Sequence, residues 1–184
     1  MNELQLDPDL LTTLQTLETH RVEFVLVGDV AHAIYDHGGF VSGLAIVPGG
    51  YGRNVERLTN ALGAMNAELG IAGRPDPRGL DWRRMDLREL APCSFMTSSA
   101  DLDIDFEPAG TTGYRDLFQD ASRIPLAAGA KPHVASPDDL DRMAHGAAPA
   151  PVIPPALPPA ALPPEPDFWP EEDIRASRAG RARY

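Results

Sequence analysis

Apolar residues fall along this chain in two rhythms, one helical and one strand-like, with glycine or proline at most of the changeovers. After Asp7-Pro8, which opens helices well, Leu10, Leu11, Leu14 and Leu17 share one helical face, and Glu18-Thr19-His20 ends the run. Val22 and Phe24 to Val27 then make a short apolar block between Arg21 and Gly28, too short for a helix and suited to a buried strand. Gly28-Asp29 turns the chain. Val30, Ala33, Ile34 and His37 follow at helical spacing, and a second strand-like block, Leu44 to Val47, is closed by Pro48-Gly49-Gly50. Asn54 to Leu69 reads as an amphipathic helix, with Val55, Leu58, Leu62, Met65 and Leu69 on its stripe.

The second half repeats both rhythms in shorter pieces. Phe95 to Thr97 and Leu102 to Phe106 form an expected hairpin around Ser98-Ser99-Ala100. Strand alternation puts Asp101, Asp103 and Asp105 on one face and Leu102, Ile104 and Phe106 on the other. Two readings of those carboxylates stand: a metal site built largely from one strand, or an exposed face solvated by water. Tyr114 to Ala121 is expected as a short helix, Ile124 to Ala127 and Lys131 to Ala135 as strands. Ser136 then caps a helix, with Pro137 at its first position and Asp138 and Asp139 in its first turn. Strands interleaved with helices make the fold class α/β (α+β), a mixed sheet flanked by helices.

The stretch from Val22 to Pro48, together with Ser94 to Tyr114 and its Glu107-Pro108-Ala109-Gly110 turn, resembles the minimal nucleotidyltransferases, a family that includes the toxins of toxin-antitoxin pairs. The resemblance covers about residues 20 to 145. It implies a nucleotidyltransferase-like mixed sheet in which a glycine turn and helix N-terminus, here Gly28 and Asp29, meet the triphosphate. It also implies that Asp-x-Asp on the next strand, with a third carboxylate later, holds two Mg2+ ions for transfer of a nucleotide from NTP to RNA or protein. The third carboxylate matches Asp103. The Asp-x-Asp positions fall on Gly43 and Ala45, so the motif is degenerate, and Asp29 sets a negative charge where the family has small residues. Ala144-His145-Gly146 also replaces the lysine-bearing continuation of the family's later helix.

Composition changes this picture at three points. With 16 Lys+Arg against 27 Asp+Glu the net charge is −11, which repels nucleic acid at long range unless the basic residues are segregated. Arg74, Arg78, Arg83, Arg84 and Arg88 form the most basic stretch of the folded part. They either grip phosphates or make a solvated face neutralised by the interleaved Asp76, Asp81, Asp86 and Glu89. Cys93 is the single cysteine, which leaves no internal disulfide and reads as a small side chain packed beside Phe95. His32 and His37, five apart, lack the spacing of a helical metal pair, and no dinucleotide fingerprint or phosphate loop begins at Gly28.

From Ala147 onward, ten prolines lie between Pro149 and Pro170, which divides the chain into an expected domain, 1–146, and a proline-rich extended tail, 147–184, with a basic end. The tail is a spacer or a docking ligand for a protein partner, in which case Phe168 and Trp169 would anchor it. No apolar run reaches membrane-spanning length and Met1 to Leu10 lacks the pattern of a signal peptide, so a cytoplasmic location is expected. The sequence therefore points first to a catalytically degenerate nucleotidyltransferase-like protein, a pseudoenzyme acting as a binding or regulatory module. An active enzyme would use Mg2+ and NTP through rearranged carboxylates among Asp29, Asp101, Asp103 and Asp105, with RNA as a substrate only in that case. A structural subunit of a larger assembly is the third reading.

Overall fold

Because Phe24, Val25, Leu26 and Val27 are all buried, the strand they form, β1 (Phe24–Val27), is covered on both faces, as its unbroken apolar run requires. The computed structural model that shows this describes residues 6–36, 38, 41, 43–71 and 74–146. Seven further strands complete one mixed sheet: β2 (Gly43–Pro48), β3 (Glu68–Ile71), β4 (Arg74–Pro75), β5 (Cys93–Met96), β6 (Asp101–Ile104), β7 (Ser122–Arg123) and β8 (His133–Val134). Their order is β4-β3-β5-β6-β2-β1-β8-β7. β1 runs parallel to β8 and β2 parallel to β6; the other neighbours are antiparallel.

Among the described residues six α-helices accompany the sheet: α1 (Pro8–Thr19), α2 (Gly28–Asp36), α3 (Gly52–Ala64), α4 (Leu87–Leu90), α5 (Tyr114–Asp120) and α6 (Pro137–Gly146). In α1, Asp7 caps the first turn by accepting from the Asp9 amide at 2.9 Å, and Leu10, Leu11, Leu14 and Leu17 are buried on the predicted face. In α6 the Ser136 hydroxyl accepts from the Asp139 amide at 3.2 Å. The core joins α1 and α3 to the central strands, and each fully buried leucine in it contributes about 2 kcal/mol by removal from water.

The helix expected over Asn54 to Leu69 starts two residues earlier and stops at Ala64. Asn66 takes a left-handed backbone (φ 51°), and the amides of Asn66 and Ala67 return to the carbonyls of Gly63 and Leu62. That closure ends a helix with asparagine in the position glycine usually fills, and Leu69 stays buried by entering β3 instead. No strand forms over Ile124 to Ala127, where one was expected; β7 lies just before it, at Ser122–Arg123, and the strand expected over Lys131 to Ala135 shortens to β8, since Pro125 and Pro132 have no amide to donate to a ladder. Loose pairing continues through Ile124 to Pro132 and Leu126 to Ala130. The strand expected over Leu102 to Phe106 ends at Ile104: Asp105 turns out of it and accepts from the Glu107 amide at 3.0 Å, which shapes the turn toward Pro108.

Between β3 and β5 the arginine-rich stretch folds over the sheet edge. Trp82 is buried, donates its indole N–H to the Ala67 carbonyl at 3.1 Å and meets Phe95 edge-on at 5.1 Å. Arg78, Arg84 and Arg88 pair with Asp76, Asp81 and Asp86, and Arg83 lies over the Trp82 ring at 4.6 Å. The interleaved acids thus neutralise three of the five arginines of this stretch. No helix among the described residues is long and apolar enough to cross a membrane. His37 and the proline-rich tail with Phe168 and Trp169 lie outside the described residues.

Candidate functional site

The corner where β1 passes into α2 is set by one backbone conformation. Gly28 has φ 69°, a left-handed value that costs an L residue about 1–2 kcal/mol, and α2 begins directly there. A Cβ at Gly28 would stand 3.0 Å from the Ala45 Cβ, so the glycine corner abuts β2 at one of the two positions where the resemblance leads one to look for acids. Val30, Ala31, Ala33 and Ile34 bury the inner face of α2, which leaves Asp29 exposed at its first turn.

Strand register then arranges the acids. Gly43 lies beside Asp101 and Ala45 beside Asp103 in the parallel β2–β6 pair. On the far side of β6, Asp103 lies beside Ser94 of β5, whose hydroxyl donates a short hydrogen bond to the Asp103 carboxylate. Asp103 is therefore flanked by a hydroxyl on one side and a methyl on the other. Asp29, Asp101 and Asp103 all line a cleft of about 310 Å³ together with Gly43, Ala45 and Ser94, and among the described residues no lysine or arginine lines it. Asp105, the third acid of the alternating set, is not among the residues lining this cleft: its carboxylate accepts from the Glu107 amide at 3.0 Å, and it shares an adjoining cleft of about 540 Å³ with Asp103 and Ala45.

Ser94 is the member of this site that sequence reading passed over. Its signal was present in the hairpin: once β5 and β6 pair about the Ser98-Ser99 turn, Ser94 must fall opposite Asp103. Cys93, next along, is half-buried at the strand edge, and burial, reinforced by Asp103 and Asp105, pushes its thiol up to about 12. That thiol stays protonated at neutral pH and is no nucleophile there.

The groups that would balance the acids are engaged elsewhere. Arg78 lines the adjoining cleft but is spent on Asp76, with hydrogen bonds of 2.8 to 3.0 Å. On α6 the basic residue is Arg142, which bridges Asp116 at 3.0 Å and Asp139 at 2.6 Å. Among the described residues no three His, Cys, Asp or Glu side chains come together as a group that could hold a metal ion. Mg2+ takes an octahedron of oxygens, and on β2 the two positions beside Asp101 and Asp103, Gly43 and Ala45, supply none from their side chains. The cleft as built is a small anionic hollow with a glycine-formed wall, open to water.

No protein-family model matches the chain, and no curated protein matches it either.

Proposed function

We propose that this chain has a nucleotidyltransferase-like fold whose two-metal chemistry has been lost, and that it serves as a binding or regulatory module in the cytoplasm, its proline-rich tail acting as the tether to a protein partner. The observation that carries this reading is Ala45: it pairs with Asp103 across β2–β6 and sits against the Gly28 corner, the place from which a second carboxylate would share a cation with Asp103. A methyl group cannot ligate Mg2+, and phosphoryl transfer rests almost wholly on positioning and charge stabilisation. The aspartate at position 29 supports the same reading, since it repels a triphosphate at the helix start.

A second reading, an active transferase with rearranged carboxylates, draws support from one fact, that Asp29 lines the same cleft as Asp101 and Asp103. The test that separates them is to restore the acids. Gly43→Asp plus Ala45→Asp is assayed beside the native chain with Mg2+, each of the four labelled NTPs and bulk tRNA. Transfer by the substituted chain alone upholds the degenerate reading, and transfer by the native chain overturns it. A Cβ at position 43 would stand 3.1 Å from the Asp101 carbonyl oxygen, so Ala45→Asp is made separately as well. In that variant a rise in Tm on adding Mg2+, absent from the native chain, reports the rebuilt ion site even without turnover.

A further inference from the structure

The opposite end of β1 carries the reverse chemistry. A cleft of about 730 Å³ opens there, bounded by the start of β1, by α5 and by the β7–β8 edge. Four basic residues line it, Arg21, Arg57, Arg123 and Lys131, against two acids, Glu18 and Glu23. In a chain of net charge −11, this is a local excess of positive charge. Glu18 is occupied in accepting the Lys131 amide at 2.9 Å, and Arg57 contacts Glu23 at 3.5 Å. Among the described residues Arg21, Arg123 and Lys131 enter no ion pair, and all three are exposed.

Aromatic rings stand among these cations. Tyr114 lies 5.3 Å from Phe118, and Phe118 lies 4.7 Å from the His133 ring, a tilted row that lines the same cleft. Phe118 at the middle of that row is 41% exposed, which leaves its ring face open to a ligand in the cleft. Exposed rings interleaved with unpaired cations are how proteins hold a base by stacking and a phosphate by charge. Neither half alone specifies this ligand: a phosphate needs no rings, and an apolar partner needs no arginines.

We propose that the Arg21, Arg123 and Lys131 cleft, with Phe118 as its stacking platform, binds a nucleoside phosphate, as a free nucleotide or as a unit of a single-stranded chain. The site lies at the far end of β1 from the Gly28 corner and does not rest on the reading given to that corner. Burial and the nearby Arg123 charge hold His133 below its usual range, so its ring is neutral at pH 7 and leaves the site's charge to the arginines and lysine.

The test is NMR titration of the full chain with AMP, a short oligoadenylate and inorganic phosphate, reading the Phe118 and His133 ring signals beside the Gly28 and Ala45 amides. Ring shifts with AMP assign a free nucleotide, and ring shifts with oligoadenylate alone assign a single-stranded chain; either upholds the site. Phe118→Ala should weaken binding of the effective ligand about tenfold, in keeping with the loss of one stacked base. Arg123→Glu with Lys131→Glu should abolish it, and both positions are exposed enough to leave the fold intact. Inorganic phosphate reproducing every shift, unchanged affinity in Phe118→Ala, or shifts confined to Gly28 and Ala45 would each overturn the proposal.

Discussion

Where Val27 gives way to Gly28, the central sheet presents Asp29, Asp101 and Asp103 around a small cleft that no cation lines among the described residues; at the other end of the same strand, Arg21, Arg123 and Lys131, in no ion pair among those residues, stand beside aromatic rings. One β1–β2 pair, Phe24 opposite Pro48 and Val27 opposite Ala45, spans both ends. The difference lies in what the flanking segments add. The acids arrive with β6 and α2, whereas the cations arrive from the turn between α1 and β1, from α3 and from the β7–β8 edge. The net charge of −11 is thus an average over a molecule polarised along its central strands, and the average misleads about both ends.

The largest effect tests whether the basic end is held by a built clamp. Asn54 is fully buried: its side chain accepts from the Glu23 amide at 2.8 Å and donates to the carbonyls of Glu23 at 2.8 Å and Gly49 at 2.9 Å. It ties the entry of β1 to the exit of β2. Asn54→Ala leaves the Glu23 amide and the buried Gly49 carbonyl without this partner and should cost about 2–3 kcal/mol in urea denaturation. A loss under about 1 kcal/mol would mean that this end is organised by something other than the clamp.

The next effect addresses the acidic end. Gly28→Ala must adopt φ 69° and bring its Cβ against Ala45, a combined cost of about 2 kcal/mol. Adding Ala45→Gly removes the crowding and leaves the backbone strain, so the double variant should recover only part of the loss. Full recovery would show that contact alone fixes the corner.

Much of this polarity was beyond the reach of sequence reading, and the reason is spatial. β1, α1 and the Gly28 turn declare themselves locally, through an apolar run, a leucine stripe and a glycine, and the structure has them where the pattern predicts. The Ala45–Asp103 juxtaposition could be anticipated only through the resemblance, because it depends on the parallel pairing of strands more than fifty residues apart. Leu69 kept helical spacing by coincidence; the signal that moves it into β3 is Asn66 in a left-handed backbone, which any helical wheel ignores. The basic cleft had no sequence signal, since Arg21, Arg57, Arg123 and Lys131 come from distant segments and share no motif. The arginine cluster that was conspicuous in sequence is instead largely consumed by its own neighbours.

Cys93 offers a reporter for the acidic end. Its thiol is displaced from 9.0 to about 12 by burial first and by Asp103 and Asp105 second. Far less of it is thiolate at neutral pH than of an ordinary cysteine. Iodoacetamide labelling at pH 8 should therefore be far slower in the native chain than in urea. Since the folded value is the higher one, the stability linked to this thiol is intact below pH 9 and falls as pH rises from 9 toward 12. A cation settling beside Asp103 and Asp105 would ease ionisation of the thiol, so labelling that accelerates with millimolar Mg2+ would break the contrast between the ends. An unchanged rate is expected, with a modest increase in Asp103→Asn.

The smallest effect concerns which arginines count as free. Arg88 lines the cleft of about 670 Å³ beside Tyr51 and Phe106, on the basic side of the molecule, yet its guanidinium is committed to Asp86. Side-chain and backbone hydrogen bonds from Arg88 hold the Asp86 carboxyl down from 3.8 to about 2. A depressed carboxylate contributes its stability above pH 3.8 and loses it as pH falls through about 2, so the pairing is complete at neutral pH. Arg88→Ala should return the Asp86 titration toward 3.8 in a carboxyl-detected NMR series, while global stability changes little because the pair is exposed. The same variant should leave AMP binding at Phe118 unaltered. Weaker binding would extend the positive surface past Tyr114 into the adjoining cleft and redraw the boundary between the two ends, because Tyr114 lines both hollows.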